Sequence, residues 1–289
     1  MAYTTINKST DYFNTKLYTG NGSTQSITGV GFQPDWVWVK QRGGTTNHKT
    51  SDAVRGATKA LQPNDVDAEA TDSNGITSFD SDGFSLGNGG DYNSSSASQV
   101  AWNWLKSATA GFDIVSYTGN SSARTISHNC GAIPKMMLIK KRSDSDNWSV
   151  YHQGTGAGNY LILNTTSGSG ASSTMWNNTT PTASVFSLGN KGEVNANGQT
   201  FIAYLFAEIP GYSKFGTYTG TGSDVFIYTG FKVGWLLVKN AENTNGWLII
   251  DTKRSPANPQ GKYQYANAAS AEGTVTYGEF FSNGFGWKG

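Results

Sequence analysis

Catalysis in a chain of 289 residues would first show in its histidines, its cysteine and its clustered carboxylates. His48, His128 and His152 fall at unrelated points, and no serine stands in a G-x-S-x-G elbow after a strand-like run. Cys130 is the only cysteine, which excludes an internal disulfide and a cysteine metal cluster. Glycine-rich runs such as 87–90 sit between strand-like segments instead of opening a helix, so they do not read as phosphate cradles. Two acidic turns, Asp80-Ser81-Asp82-Gly83 and Asp144-Ser145-Asp146-Asn147, resemble the start of a calcium loop but lack the glutamate that completes an EF-hand. Asp and Asn favour hairpin turns for backbone reasons alone, so these read as turns, with Asp80, Asp82, Asp144 and Asp146 as the alternative metal ligands. Asp52-x-x-Arg55-Gly56 has a partial echo in Asp251-x-Lys253-Arg254, and such a duplicated pair reads as a bridge holding a turn. No enzyme and no cofactor are expected.

Aromatic residues are the better lead to function. Flat aromatic faces flanked by Asn, Asp and Thr bind glycans, and Trp102, Trp104, Trp148, Trp176, Trp247 and Tyr160 lie near loops rich in such residues. Trp102 and Trp104 share one face of a strand and belong to a core. Trp176, inside Ser172-Ser173-Thr174-Met175-Trp176-Asn177-Asn178, is expected at the surface, and Trp176, Trp148, Tyr160, Asn177 and Asn178 are the candidate ligand-binding set.

The elements that must position these residues are short strands. In 17–42 the run Trp36-Val37-Trp38-Val39-Lys40 alternates with period two, aromatics on one face and β-branched residues on the other, after a proline suited only to a strand's opening. The same order recurs from Ser116 and from Thr217. Tyr18, Tyr117 and Tyr218 stand 99 and 101 residues apart. Phe186-Ser187-Leu188-Gly189 repeats Phe84-Ser85-Leu86-Gly87, and Asn195 and Ala203 follow at the offsets of Asn93 and Ala101. The expected fold is all-β, three tandem antiparallel β-sandwich repeats of about 100 residues each, the third truncated. The expected division is an N-terminal arm at 1–16, repeats at 17–106 and 107–207, a linker at 208–214, and a third repeat at 215–289 without the closing strand that VAWNWL and FIAYLFA supply to the others. Ala2–Ile6 or a partner's strand is expected to fill the open edge. A single lectin-like sandwich spanning two units is the alternative. With 21 basic and 20 acidic residues, the net charge of +1 gives no field to hold nucleic acid, and no apolar run is long enough to span a membrane.

The text YTGNGSTQSITGVGFQPDWVWVK, DAVRG, SFDSDGFSLG and VAWNW resembles a repeat of virion proteins from tailed bacteriophages, marine ones especially, and the resemblance covers nearly the whole chain. It is looser toward the terminal β-sandwiches of phage tail fibres. Two departures stand out: the second unit has Tyr151-His152-Gln153 where D-x-x-R-G is expected, and the third lacks the closing strand. The resemblance implies a non-enzymatic virion protein, made in the host cytoplasm, most simply a tail fibre or adhesin module binding a host glycan or receptor. A capsid decoration or other scaffold protein is the alternative. Implied partners are other virion proteins and further copies of the chain. A glycan-degrading enzyme would need paired carboxylates across a cleft.

Overall fold

The alternating run at Trp36 forms the strand its pattern predicts, and in this computed structural model, which describes residues 4–276 and 278–288, regular structure is almost wholly β. The first segment contains β1 (Phe13–Thr19), β2 (Gln25–Ile27), β3 (Trp36–Gln41), β4 (Lys49–Asp52), β5 (Lys59–Ala60), β6 (Ala70–Thr71), β7 (Ile76–Asp80), β8 (Gly83–Leu86), the one-turn helix α1 (Gly90–Asn93) and β9 (Ser98–Trp104). One antiparallel sheet runs β1-β9-β3-β4 and the other β2-β8-β7. Val37, Val39 and Ala101 of the one pack on Ile27, Ile76, Phe84 and Leu86 of the other, a two-layer sandwich.

The second segment contains β10 (Phe112–Thr118), β11 (Arg124–Ser127), β12 (Pro134–Lys141), β13 (Ser149–His152), β14 (Asn159–Ile162), β15 (Gly170–Ala171), β16 (Val185–Leu188), α2 (Gly192–Asn195) and β17 (Thr200–Ala207), in sheets β10-β17-β12-β13-β14-β15 and β11-β16. The third contains β18 (Val225–Tyr228), β19 (Trp235–Val238), β20 (Leu248–Asp251), β21 (Lys262–Tyr265), β22 (Gly273–Thr274), β23 (Gly278–Phe281) and β24 (Gly284–Trp287), in sheets β19-β20-β21-β22 and β18-β24-β23. Trp38, Leu138 and Leu237 occupy matching places, each opposite Thr50, Val150 or Ile249 on the next strand.

The sandwiches are not beads on a string. Opposite the valines of β3, Trp36, Trp38, Trp102 and Trp104 enter one buried cluster with Leu138, Trp148, Ile202 and Tyr204 of the second segment and Trp247 and Ile249 of the third. Trp36 stacks on Tyr204 with ring centroids 4.4 Å apart. The joining contact recurs around the cluster. Trp148 Nε1 donates to the Gln62 carbonyl at 2.8 Å, Trp247 Nε1 donates to that of Ile162 at 2.9 Å, and His48 Nε2 lies 3.0 Å from that of Tyr265. In the reverse sense, from first to second, second to third and third to first, the amides of Glu69, Ser169 and Glu272 donate to the carbonyls of Arg142, Ala241 and Arg42. Second meets first, third meets second and first meets third, so the chain closes into a ring.

Two local expectations shift. The first strand starts at Phe13 inside the expected arm, because Phe13 packs on Trp104 at 4.9 Å and Asn14–Lys16 continue the ladder with β9. Thr4–Ile6 form no strand, and Ala2 and Tyr3 lie outside the described residues.

Candidate functional site

The sequence-predicted aromatics divide by burial. Trp176 and Trp148, expected to face a ligand, are both wholly inaccessible. Trp148 belongs to the shared core through its bond to Gln62. Trp176 lies in the second sandwich, donating from Nε1 to the Asn159 carbonyl at 2.9 Å and meeting Tyr151 edge-on. Neither is a stacking platform. Tyr160 is half-buried against that same sandwich core. Asn177 and Asn178 are exposed, with φ of 53° and 47°, and the Thr179 amide donates to the Trp176 carbonyl at 3.0 Å. That is the geometry of a tight turn with two left-handed central residues, which asparagine tolerates better than most. The turn points its amides outward while Trp176 points in.

Asn177 and Asn178 line an open cleft of about 550 Å³ with Ser121, Ser122, Thr174 and Asn190. Its polar side chains are hydroxyls and amides, beside Ala123 and Gly189, with no acid, base or cation. Such a surface can exchange hydrogen bonds with a neutral polyhydroxylated ligand, and its lining side chains include no group that titrates near neutral pH.

The acidic turns have protein partners. Asp82 accepts from the amides of Gly31 at 2.7 Å and Gly29 at 2.8 Å, and these bonds hold its carboxyl below the usual range. Asp80 accepts from Ser78 and Ser85, Asp144 from the Ser145 amide, and Asp146 pairs with Lys141 at 2.5 Å. Among the described residues, no three His, Cys, Asp or Glu side chains group to hold a metal ion, so the calcium alternative for Asp80, Asp82, Asp144 and Asp146 finds no third ligand. The histidines stay apart: His48 bonds Trp38 and Tyr265, His128 the Thr182 carbonyl, and His152 the Gly154 amide.

The Asp-x-x-Arg sets bridge as expected and reach further. Asp52 binds the buried Arg55 guanidinium and accepts from Tyr204 of the second sandwich at 2.7 Å, while Glu69 joins Arg55 to Arg142 across the same junction. At the next junction Asp251 binds Arg254 at 2.5 Å and accepts from Trp102 Nε1, while Glu272 reaches Arg254 and Arg42. The third junction has His152, Thr155, Ser169 and Ala241 at the matching places, with Phe215, the residue after the linker, beside His152. The second unit's departure from the pattern lies at the one junction without such a donor among the described residues. Trp102 and Tyr204 stand on the strands β9 and β17, and the third sandwich has no such strand among the described residues to send an aromatic hydrogen-bond donor to a buried aspartate.

A family model described as a domain of unknown function, DUF7483, matches residues 8–289. The chain belongs to that family. No curated protein and no solved structure matches it. In this DUF7483 chain, sequence reading missed two lysines near the ends of β3 and β12. Lys40 and Lys140 are buried and donate to loop carbonyls, of Gln41 and Gly44 in one case and Lys141 and Val66 in the other. Burial pushes both down to about 8. The signal was present, since Lys40 alternates with Trp36 and Trp38, and Lys140 with Met136 and Leu138, which puts each stem on a buried face.

Proposed function

We propose that this chain is a non-enzymatic, adhesin-like structural protein whose ligand is a neutral glycan, bound at the cleft around Asn177 and Asn178. The observation that carries the reading is the cleft's lining of hydroxyl and amide groups without a titratable side chain. A glycan offers matching donors and acceptors and needs no charge to be held. The likeness to virion proteins of tailed phages supports a place on a particle surface, where a rigid body with one shared core suits a binder exposed to solvent. Glycan-array binding tests this with the native chain and Asn177→Gly/Asn178→Gly, which keeps the left-handed turn and removes both amides. The expected result is selective glycan binding by the native chain, lost in the variant at unchanged melting temperature. No binding, or equal binding by both, overturns the proposal.

A second reading, a scaffold contacting other virion proteins, is favoured by one observation. Phe226, Tyr228 and Phe281 are exposed on the outer sheet of the third sandwich, with the rings of Phe226 and Phe281 5.7 Å apart. Apolar aromatics grouped on a sheet face mark contact with protein.

A further inference from the structure

Of the three joints that close the ring, one is built from a different side chain. His48, Trp148 and Trp247 hold the same backbone place, since their amides donate to the side chains of Asn64, Asn164 and Asn267 at 2.7, 2.8 and 2.7 Å. Each then reaches a carbonyl of the neighbouring sandwich: His48 that of Tyr265, Trp148 that of Gln62, Trp247 that of Ile162. An indole has one donor and gains no proton, so two of the joints are indifferent to acid. The joint between first and third sandwiches is made by an imidazole instead. Its neighbour is changed to match, for Trp38 stands where the other sandwiches have Leu138 and Leu237, and its Nε1 donates to His48 Nδ1 at 2.8 Å.

Both nitrogens of that imidazole are committed in its neutral form. With Nδ1 accepting from Trp38, the one ring proton lies on Nε2 and is donated to the Tyr265 carbonyl, 3.0 Å away. A second proton would set Nδ1–H against the Trp38 N–H across 2.8 Å, with no acceptor between them. Neither ring has room to turn away, because both are inaccessible and Trp102 lies stacked on the imidazole with centroids 6.5 Å apart. The charged groups facing His48 are Lys40 from β3 and Arg254 from the turn after β20, and both oppose a further positive charge. The carbonyls of Tyr265 and Ala268 favour it, and burial with the two cations outweighs them. The carboxylates of this joint, Asp251 and Glu272, are bound to Arg254 and Arg42.

We infer that His48 makes the joint between the first and third sandwiches an acid-opened seam: protonation parts that joint while the two tryptophan joints hold, and the ring becomes an open row of three sandwiches. This is also the joint between segments that are not consecutive in the chain, so no linker spans it once its bonds part. Protonation of carboxylates does not single it out, because Asp52, Arg55, Glu69 and Arg142 at the first–second joint repeat Asp251, Arg254, Glu272 and Arg42. Only the imidazole does. Opening uncovers the indoles of Trp38 and Trp102, which lie in the shared core while the ring is closed.

Hydrogen exchange of the full chain tests this, because each joint carries an equivalent reporter: the amides of Glu272, Glu69 and Ser169, which donate to Arg42, Arg142 and Ala241. Burial first, then Lys40, holds His48 down to about 3 in the closed ring, and once released it takes a proton near 6.5. Lowering the pH from about 7.5 to about 4.5 should therefore raise opening of the seam about a hundredfold. The expected result is a loss of protection by about that factor at Glu272, after correction for intrinsic rates, with changes at Glu69 and Ser169 smaller by about tenfold or more. His48→Gln, whose amide can accept from Trp38 and donate to Tyr265 without titrating, should abolish the selective loss and leave all three amides protected at neutral pH. Equal loss at the three amides, no loss at Glu272, or a selective loss that persists in His48→Gln overturns the inference.

Discussion

Truncating Asp52 to alanine tests whether the buried ionic junctions hold the ring together. Asp52 Oδ1 accepts from the amides of Val54 at 3.1 Å and Arg55 at 2.9 Å, and Oδ2 accepts from Arg55 Nε and from Tyr204 at 2.7 Å. Both charged side chains are wholly inaccessible to solvent. Asp52→Ala leaves the guanidinium inside with Glu69, 3.2 Å from Nη1, as its remaining carboxylate. It also removes the acceptor of Tyr204 and of two amides. Breaking one side of a buried pair costs about 3–5 kcal/mol, and the nearby Glu69 sets the expectation at the lower end, about 3 kcal/mol. At roughly 2–4 °C per kcal/mol for a chain of this class, the melting temperature falls by about 6–12 °C. Scanning calorimetry of Asp52→Ala beside Lys8→Ala, which breaks the exposed Lys8–Asp11 pair, supplies the scale, since an exposed pair contributes under about 1 kcal/mol. If the two variants melt within a degree of each other, the junction is not what fixes the first sandwich to the second.

His48 is buried, accepting from Trp38 at Nδ1, and burial first, then Lys40, pushes its imidazole down to about 3. The folded state refuses a proton that the unfolded chain takes up near 6.5, so stability holds above that pH and declines as pH falls toward 3; His48→Gln should flatten this acid limb in pH-dependent melting. Lys40 and Lys140, pushed down to about 8, bind protons less well in the fold than in the unfolded chain, so stability should rise as pH climbs from about 8 toward 10.5. Burial raises Tyr18, Tyr117 and Tyr204, so ionisation of the unfolded chain removes stability above about 10. The melting temperature should therefore peak between about 8 and 10, and Lys40→Met/Lys140→Met should lose the rise on the neutral side. Cys130 is buried and its thiol is pushed up to about 12, so a thiol reagent at neutral pH should label it only at the rate of unfolding; fast labelling of the native chain would contradict its place in the second sandwich core.

Each sandwich was legible because its determinants are local. Alternation at Trp36–Lys40, the repeated Tyr-Thr-Gly and Phe-Ser-Leu-Gly texts and the Asp-x-x-Arg turn all act within a few residues, and each has the role that its pattern implies. Closure of the ring was not legible, because its partners stand far apart: Asp52 and Tyr204 are 152 residues apart, Trp148 and Gln62 86. Trp102 and Trp104 read only as core, while in the first sandwich the valine face of β3 already completes the two layers and leaves the indoles for a core between sandwiches. Trp176 was misplaced because its polar neighbours were read as surface, whereas they form the turn that sends it inward. The cleft was half legible: Asn177 and Asn178 were singled out, but Ser121, Ser122 and Asn190 join them only through the fold.

The uncharged third junction bears on orientation. A body with three identical junctions would look the same to a neighbour after each third of a turn, and a partner could settle on it in any of three equivalent settings. Here two junctions carry an aspartate, two arginines and a glutamate, and the third carries histidine, threonine, serine and alanine. The near-symmetry therefore has one dissimilar corner, and the frame does not offer a neighbour three equivalent settings.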